Sequence, residues 1–154
     1  MFSFTARKKA VEYQRYIRRM IDLTIPNKSN SASTERFQNR HNRAIPVLLC
    51  PWARGGPVLS ECLIAITKDI SDQGIGLILN APFAAKDVVL GFCLGEEAAA
   101  EPWFFRGAAE HNLAIGGGYW LLGIALKDFM NQEYQVELAP LVPMSRKLQA
   151  PPRS

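Results

Sequence analysis

From residue 44 onward the chain is a succession of short apolar runs, each closed by glycine, proline, asparagine or aspartate, and that rhythm leaves few folds open. Residues 45–52, 58–67, 75–79, 88–94, 103–109 and 119–127 read as six strands rich in Leu, Ile, Val and aromatic side chains. Ala53-Arg-Gly-Gly-Pro57 and Gly116-Gly-Gly118 read as turns, and residues 80–87, which contain Pro82, as a loop. Six hydrophobic strands at such close spacing would expose unpaired edges in an open sheet, and closure removes those edges. The predicted fold is therefore all-β, a small six-stranded antiparallel β-barrel.

The flanks differ in character. Ala6, Ala10, Tyr13, Ile17, Met20 and Ile21 recur at helical spacing, which predicts an amphipathic helix over residues 5–23 that Pro26 stops. Of the 18 basic and 14 acidic residues, six and two lie within residues 1–22, so this segment carries the whole formal net charge of +4. The remainder is neutral, and an anion site in the barrel has to be made by placed arginines rather than by a general field. The division that follows is a basic helix at 1–26, a polar linker at 27–34, a barrel domain at 35–130 and a proline-containing tail at 131–154. A short helix is expected over residues 127–134, with residues 140–154 extended or loose. The apolar stripe of the first helix fits docking on the barrel or dimerisation, and its basic flanks leave a membrane-surface or nucleic-acid role as the competing reading.

A 48% apolar and 21% charged composition is that of a globular domain. No apolar run approaches the roughly 20 residues that span a bilayer, and the N-terminus lacks the h-region and cleavage site of a secretory signal. Cys50, Cys62 and Cys93 are odd in number, far apart and set in apolar stretches, so three buried reduced thiols and a cytoplasmic location are expected.

Two patterns carry the chemistry. Arg36 and Arg40 place two guanidiniums four residues apart just before the first strand, and a guanidinium fork matches phosphate oxygens bidentately. Asp69-Ile-Ser71-Asp-Gln-Gly74 places a carboxylate and a hydroxyl at a tight turn, with Gly74 free to take positive φ. A carboxylate can accept two hydrogen bonds from the N1–H and N2–H₂ edge of guanine. Together they point to a guanine nucleotide with more than one phosphate.

In that combination and order the chain resembles the PilZ domain family, whose signature is RxxxR before the first barrel strand and [D/N]xSxxG after the second. Pro46 directly before the first strand, residues 74–79 as the third strand and residues 118–126 as the closing strand agree with it. The resemblance covers roughly residues 34–130. It implies a non-enzymatic cyclic di-GMP receptor that takes the dinucleotide through Arg36, Arg40, Asp69, Ser71 and Gly74, with no cofactor, no metal and no specific nucleic acid. It also implies a conformational change read by a protein partner. His41 and Arg43 stand near the clamp as secondary contacts. Glu35 departs from the family, many members of which are basic there, and an acidic neighbour weakens the case for a stacked pair of ligand molecules.

Each residue also has a purely structural reading. Arg36 and Arg40 could be solvated surface, while Asp and Ser cap turns by bonding their own backbone. A PilZ-like adaptor without nucleotide is the competing function. Gly116-Gly-Gly118 lacks the GK[ST] of a phosphate loop, and His41 and His111 lack neighbours at metal-ligand spacing. His111 and Asn112 lie near a position that is sometimes polar in the family. No arrangement suited to nucleophilic or acid–base catalysis stands out, so no catalytic residue is assigned. Magnitudes couple the two motifs. Four charge-assisted hydrogen bonds give about 6–12 kcal/mol, against an association cost on the order of 4–15 kcal/mol. Phosphate contacts alone would bind weakly, and the base contacts are needed as well.

Overall fold

The computed structural model describes residues 4–24, 40–95 and 101–148. It begins with helix α1 (Phe4–Leu23), followed by strands β1 (Arg40–Asn42), β2 (Pro46–Ala53) and β3 (Gly56–Pro57). After a 3₁₀ turn at Leu59–Glu61 come β4 (Leu63–Ser71), β5 (Gly74–Leu79), β6 (Asp87–Phe92), β7 (Trp103–Gly116) and β8 (Tyr119–Phe129). Two short helices, α2 (Gln135–Leu138) and α3 (Leu141–Arg146), end the described chain. Every pairing is antiparallel. The order β4-β5-β8-β7-β6-β2 closes through a β2–β4 pairing into a six-stranded barrel, the predicted architecture.

β4 serves two partners along one edge. Leu63 to Ile66 pair with β2, and Asp69 to Ser71 pair with β1. Thr67 sits at the changeover, fully buried. Its N–H donates to Ile45 O at 3.0 Å, its Oγ1 accepts from Ile45 N at 2.9 Å, and its hydroxyl donates to Arg43 O. A register shift between Thr67 and Asp69 completes the bend.

Burial separates two kinds of strand. In β2 and β6 nearly every residue is buried, because each strand has the barrel interior on one face and the C-terminal helices on the other. Leu48, Cys50, Trp52, Val89 and Phe104 form that outer core with Met130, Leu138 and Leu141. In β4, β5 and β8 buried and accessible residues alternate over most of their length, since only the inner face is covered.

α1 closes one mouth of the barrel. Tyr13, Ile17, Met20 and Ile21 join the interior core with Ile70, Ile75 and Leu126. Tyr16 stacks on Phe129 at 3.7 Å and meets Trp103 edge-on at 5.3 Å, with Arg19 over the Trp103 ring. Lys9 and Arg18 reach Asp128 and Asp72 at 3.7 and 3.9 Å. The helix ends where Thr24 Oγ1 donates to Met20 O and accepts from Arg43 Nε at 3.0 Å.

Several expectations are corrected. β4 starts at residue 63, not 58, because a 3₁₀ turn occupies residues 59–61. β7 runs seven residues past 109, since β8 supplies a partner as far as Gly116. Residues 127–129 continue β8, and the helices come later, at 135–138 and 141–146. The tail is packed rather than loose over those residues, with Leu138, Leu141 and Ser145 buried. Cys50 and Cys62 are joined in a disulfide, leaving Cys93 free and buried. Pairing of Leu49 with Leu63 makes Cys50 and Cys62 the next cross-strand neighbours, a juxtaposition hidden by their spacing in sequence. The step from three reduced thiols to a reducing compartment thereby loses its premise. No helix among the described residues is long and apolar enough to cross a membrane. The linker at 27–34 lies outside the described residues.

Two measurements test the role of α1. Ile17→Ala removes a fully buried side chain from the barrel mouth, and should cost about 2–5 kcal/mol in denaturant unfolding while keeping a single transition. Asp128, buried under α1, has its carboxyl raised above the usual aspartate range. Burial is the main cause, Lys9 and Arg106 oppose it, and Glu133 and Glu12 add to it. The folded state thus holds this proton more tightly than the unfolded chain. The resulting stabilisation is complete below the ordinary aspartate pKa and is lost as pH rises through the raised value. Asp128→Asn should therefore melt above wild type at neutral pH, and the difference should vanish below the ordinary aspartate range.

Candidate functional site

Among the described residues no helix lies on the outer barrel face over β4, β5, β8 and the second half of β7, and register arranges its residues in rows. Arg40 pairs with Ser71, and Gly74 with Ala125. One step along, Asn42, Asp69, Gly76, Gly123 and His111 are successive cross-strand neighbours. The buried Ile70 between Asp69 and Ser71 points inward, so both polar side chains stand on the outer face.

These rows line an open trough of about 550 Å³, within the range of small-molecule sites. Arg40, Asp69 and Ser71 form one side, Glu110 and His111 the other. The floor between them is backbone, because Gly76 and Gly123 are paired. A Cβ on Gly76 would lie 2.9 Å from Asp69 Oδ1, so the carboxylate leans over this glycine and occupies the space a side chain would take. At Gly123 the neighbour is His111, whose Cδ2 would lie 3.5 Å from an added Cβ, so the side chains of the two flanks lean in over the glycines.

The candidate residues fall into distinct positions. Arg40, Asp69, Ser71 and Gly74 come together at the trough, whereas Arg36 lies outside the described residues. Ser71 Oγ caps its own hairpin, donating to Gly74 O at 3.2 Å and accepting from the N–H groups of Gly74 and Gln73. Gly74 is not in the left-handed region, which corrects the reason given for it. Its requirement is close approach, since a Cβ there would lie 2.8 Å from Ile124 O. Arg43 turns away from the trough and is buried against Thr24 at the end of α1. His41 pairs opposite the inward-facing Ile70, and alternation sends it to the other side from Arg40.

Gly76, Gly123 and Glu110 carry no signal in the sequence as site residues, since only cross-strand register brings them to Asp69. His111 joins them through the register shift after Ala109. Asn112 is used structurally, bonding the backbone N–H and C=O of Phe83. A second, mostly apolar cavity of about 400 Å³ lies beside α2 and α3, between Phe104, Leu138 and Arg146, and none of Arg40, Asp69, Ser71 and Gly74 lines it. Among the described residues no group of three His, Cys, Asp or Glu could hold a metal ion. No family model, curated protein or solved structure matches the chain.

The placement of Arg40 depends on Thr67. Thr67→Val leaves Ile45 N without its acceptor and Arg43 O without its donor, at a cost of about 1–3 kcal/mol. Hydrogen exchange of the amides at residues 40–42 should quicken more than exchange in β7 and β8, because the lost bonds anchor only the first of these segments.

Proposed function

We propose that the protein is a PilZ-like, non-enzymatic receptor for cyclic di-GMP. The observation that carries this reading is the cross-strand register that sets Arg40 against Ser71, beside Asp69, along one trough with a backbone floor. In this reading Arg40 and Arg36 take the phosphates. A chain extends at most about 3.6 Å per residue, so a position four residues before Arg40 is never more than about 14 Å from it. Asp69, whose carboxylate leans over Gly76, accepts from the edge of a guanine seated in the trough. Ser71 and Gly74 hold the hairpin that aims Asp69.

The response follows from what borders the trough. β1 is held at one end by the Thr67 junction, and Arg43 just beyond it bonds Thr24 of α1. Asp72, in the hairpin of Ser71, reaches Arg18 on the same helix. Ligand gripped by Arg40 and Asp69 would tighten β1 against β4 and change the surface that a protein partner meets.

Calorimetric titration with cyclic di-GMP tests the reading. Wild type should bind near micromolar, about −8 kcal/mol. Arg40→Ala and Asp69→Ala should each weaken binding at least about tenfold, since each removes a charge-assisted contact. Absence of heat with wild type would overturn the proposal and leave the nucleotide-free adaptor.

A further inference from the structure

The trough runs into an apolar row on the same outer face, and two members of that row, Leu113 and Leu121, also line the trough. Ile66, Ile78, Leu121 and Leu113 are successive cross-strand neighbours on β4, β5, β8 and β7. Ile66 is 50% exposed and Leu113 59%. Ile64 on β4 and Ile115 and Tyr119 at the β7–β8 hairpin extend the patch, all of them exposed. Residues 112–126 contain no charged side chain, and neither does β5. The exposed members together present on the order of 500 Å² of apolar surface, the upper end of what monomers leave open.

We infer that this face is the interface for a second copy of the chain. Among the described residues its charged side chains sit at the flanks: Lys68 and Asp69 on the β4 side, with Arg40 next to them on β1, and Glu110 beside His111 on the β7 side. A two-fold axis parallel to the strands lays the β4 flank of one copy over the β7 flank of the other. Ile66 then meets Leu113 of the second copy, and Asp69 meets His111, its counterpart in the same row. Lys68 comes within reach of Glu110 in the same arrangement, so both flanks are paired by opposite charge. Like charges do not face each other anywhere in the apolar centre. The patch and its polar rim approach the roughly 800 Å² per partner of a stable interface. Basic α1 docks at the Ile70 and Ile75 end of the barrel, away from the apolar row.

Asp69 belongs to both surfaces, so a second copy and a molecule in the trough exclude one another. The inference itself requires no ligand, and its test is run without nucleotide, which separates its outcome from that of the cyclic di-GMP titration. Sedimentation of the full chain should show a concentration-dependent dimer. Ile66→Lys and Leu113→Lys, both at exposed positions, should each give monomers with unchanged circular dichroism, whereas Val11→Lys on the exposed side of α1 should leave the dimer intact. Lys68→Glu and Glu110→Lys should each weaken the dimer at least about threefold, and the double variant should recover it. A wild type that stays monomeric up to its solubility limit overturns the inference. So does a dimer indifferent to Ile66→Lys and Leu113→Lys, or a charge reversal that fails to restore association.

Discussion

The whole arrangement turns on β4 having to satisfy two partners along a single edge. Closure of the barrel demands that residues 63–66 pair with β2, and the chain entering β2 has to come from somewhere. It arrives as β1, on the same edge, three residues further along β4. A bend of this kind buries peptide groups that a straight ladder would have paired, and buried backbone groups left unpaired cost about 1–3 kcal/mol each. Thr67 resolves this with one hydroxyl, bonding Ile45 N and Arg43 O while its own N–H takes Ile45 O. Arg40 then has no freedom of register. It falls opposite Ser71 because the barrel closes.

The helices decide which outer surface remains open. α2 and α3 cover β2, β6 and the start of β7, and α1 fills a mouth rather than a side. What the described residues leave is one continuous face over β4, β5, β8 and the end of β7. Its chemistry changes within two or three residues along each strand, from Asp69, Gly76, Gly123 and His111 to Ile66, Ile78, Leu121 and Leu113. A glycine-floored polar trough and an apolar row thus share the same strands.

Much of this is visible in the residue pattern, and the misses have physical causes. The near-continuous runs Pro46–Ala53 and Asp87–Phe92 and the alternating β5 already differ in sequence, and the difference is whether a second layer covers the strand. The second layer itself was not legible. Residues 140–154 hold four prolines, yet Pro140 and Pro143 stand at the start and in the first turn of α3, where a missing N–H costs nothing. β7 is expected from sequence to end at 109, and the polar stretch Glu110-His-Asn112 lies beyond that limit. It is instead a strand whose β6 partner has ended while β8 continues. Gly74 was assigned for the wrong reason, since sequence shows a glycine but not the neighbouring Ile124 carbonyl that requires it. The Cys50–Cys62 bond and the Gly76–Gly123 floor are both consequences of register, which local pattern does not encode.

α1 contacts the β1–β4 side of the trough, but the energies limit what it can do. Its ion pair from Arg18 to Asp72 is largely exposed, and such pairs contribute about 0–1 kcal/mol. Four apolar side chains buried in the barrel mouth stabilise the docked helix by roughly 1.5–3 kcal/mol each. A ligand shifts a conformational equilibrium only by its differential affinity for the two states. Micromolar binding supplies about 8 kcal/mol in total, most of it needed to hold the ligand, so ejecting the helix is out of reach. The contacts that a ligand of this strength can rearrange are the lighter ones: the three-residue β1, the Asp72–Arg18 pair and the hydrogen bond from Arg43 to Thr24. The signal would therefore leave through the open face and the β1 junction, with α1 as the fixed plug against which they move.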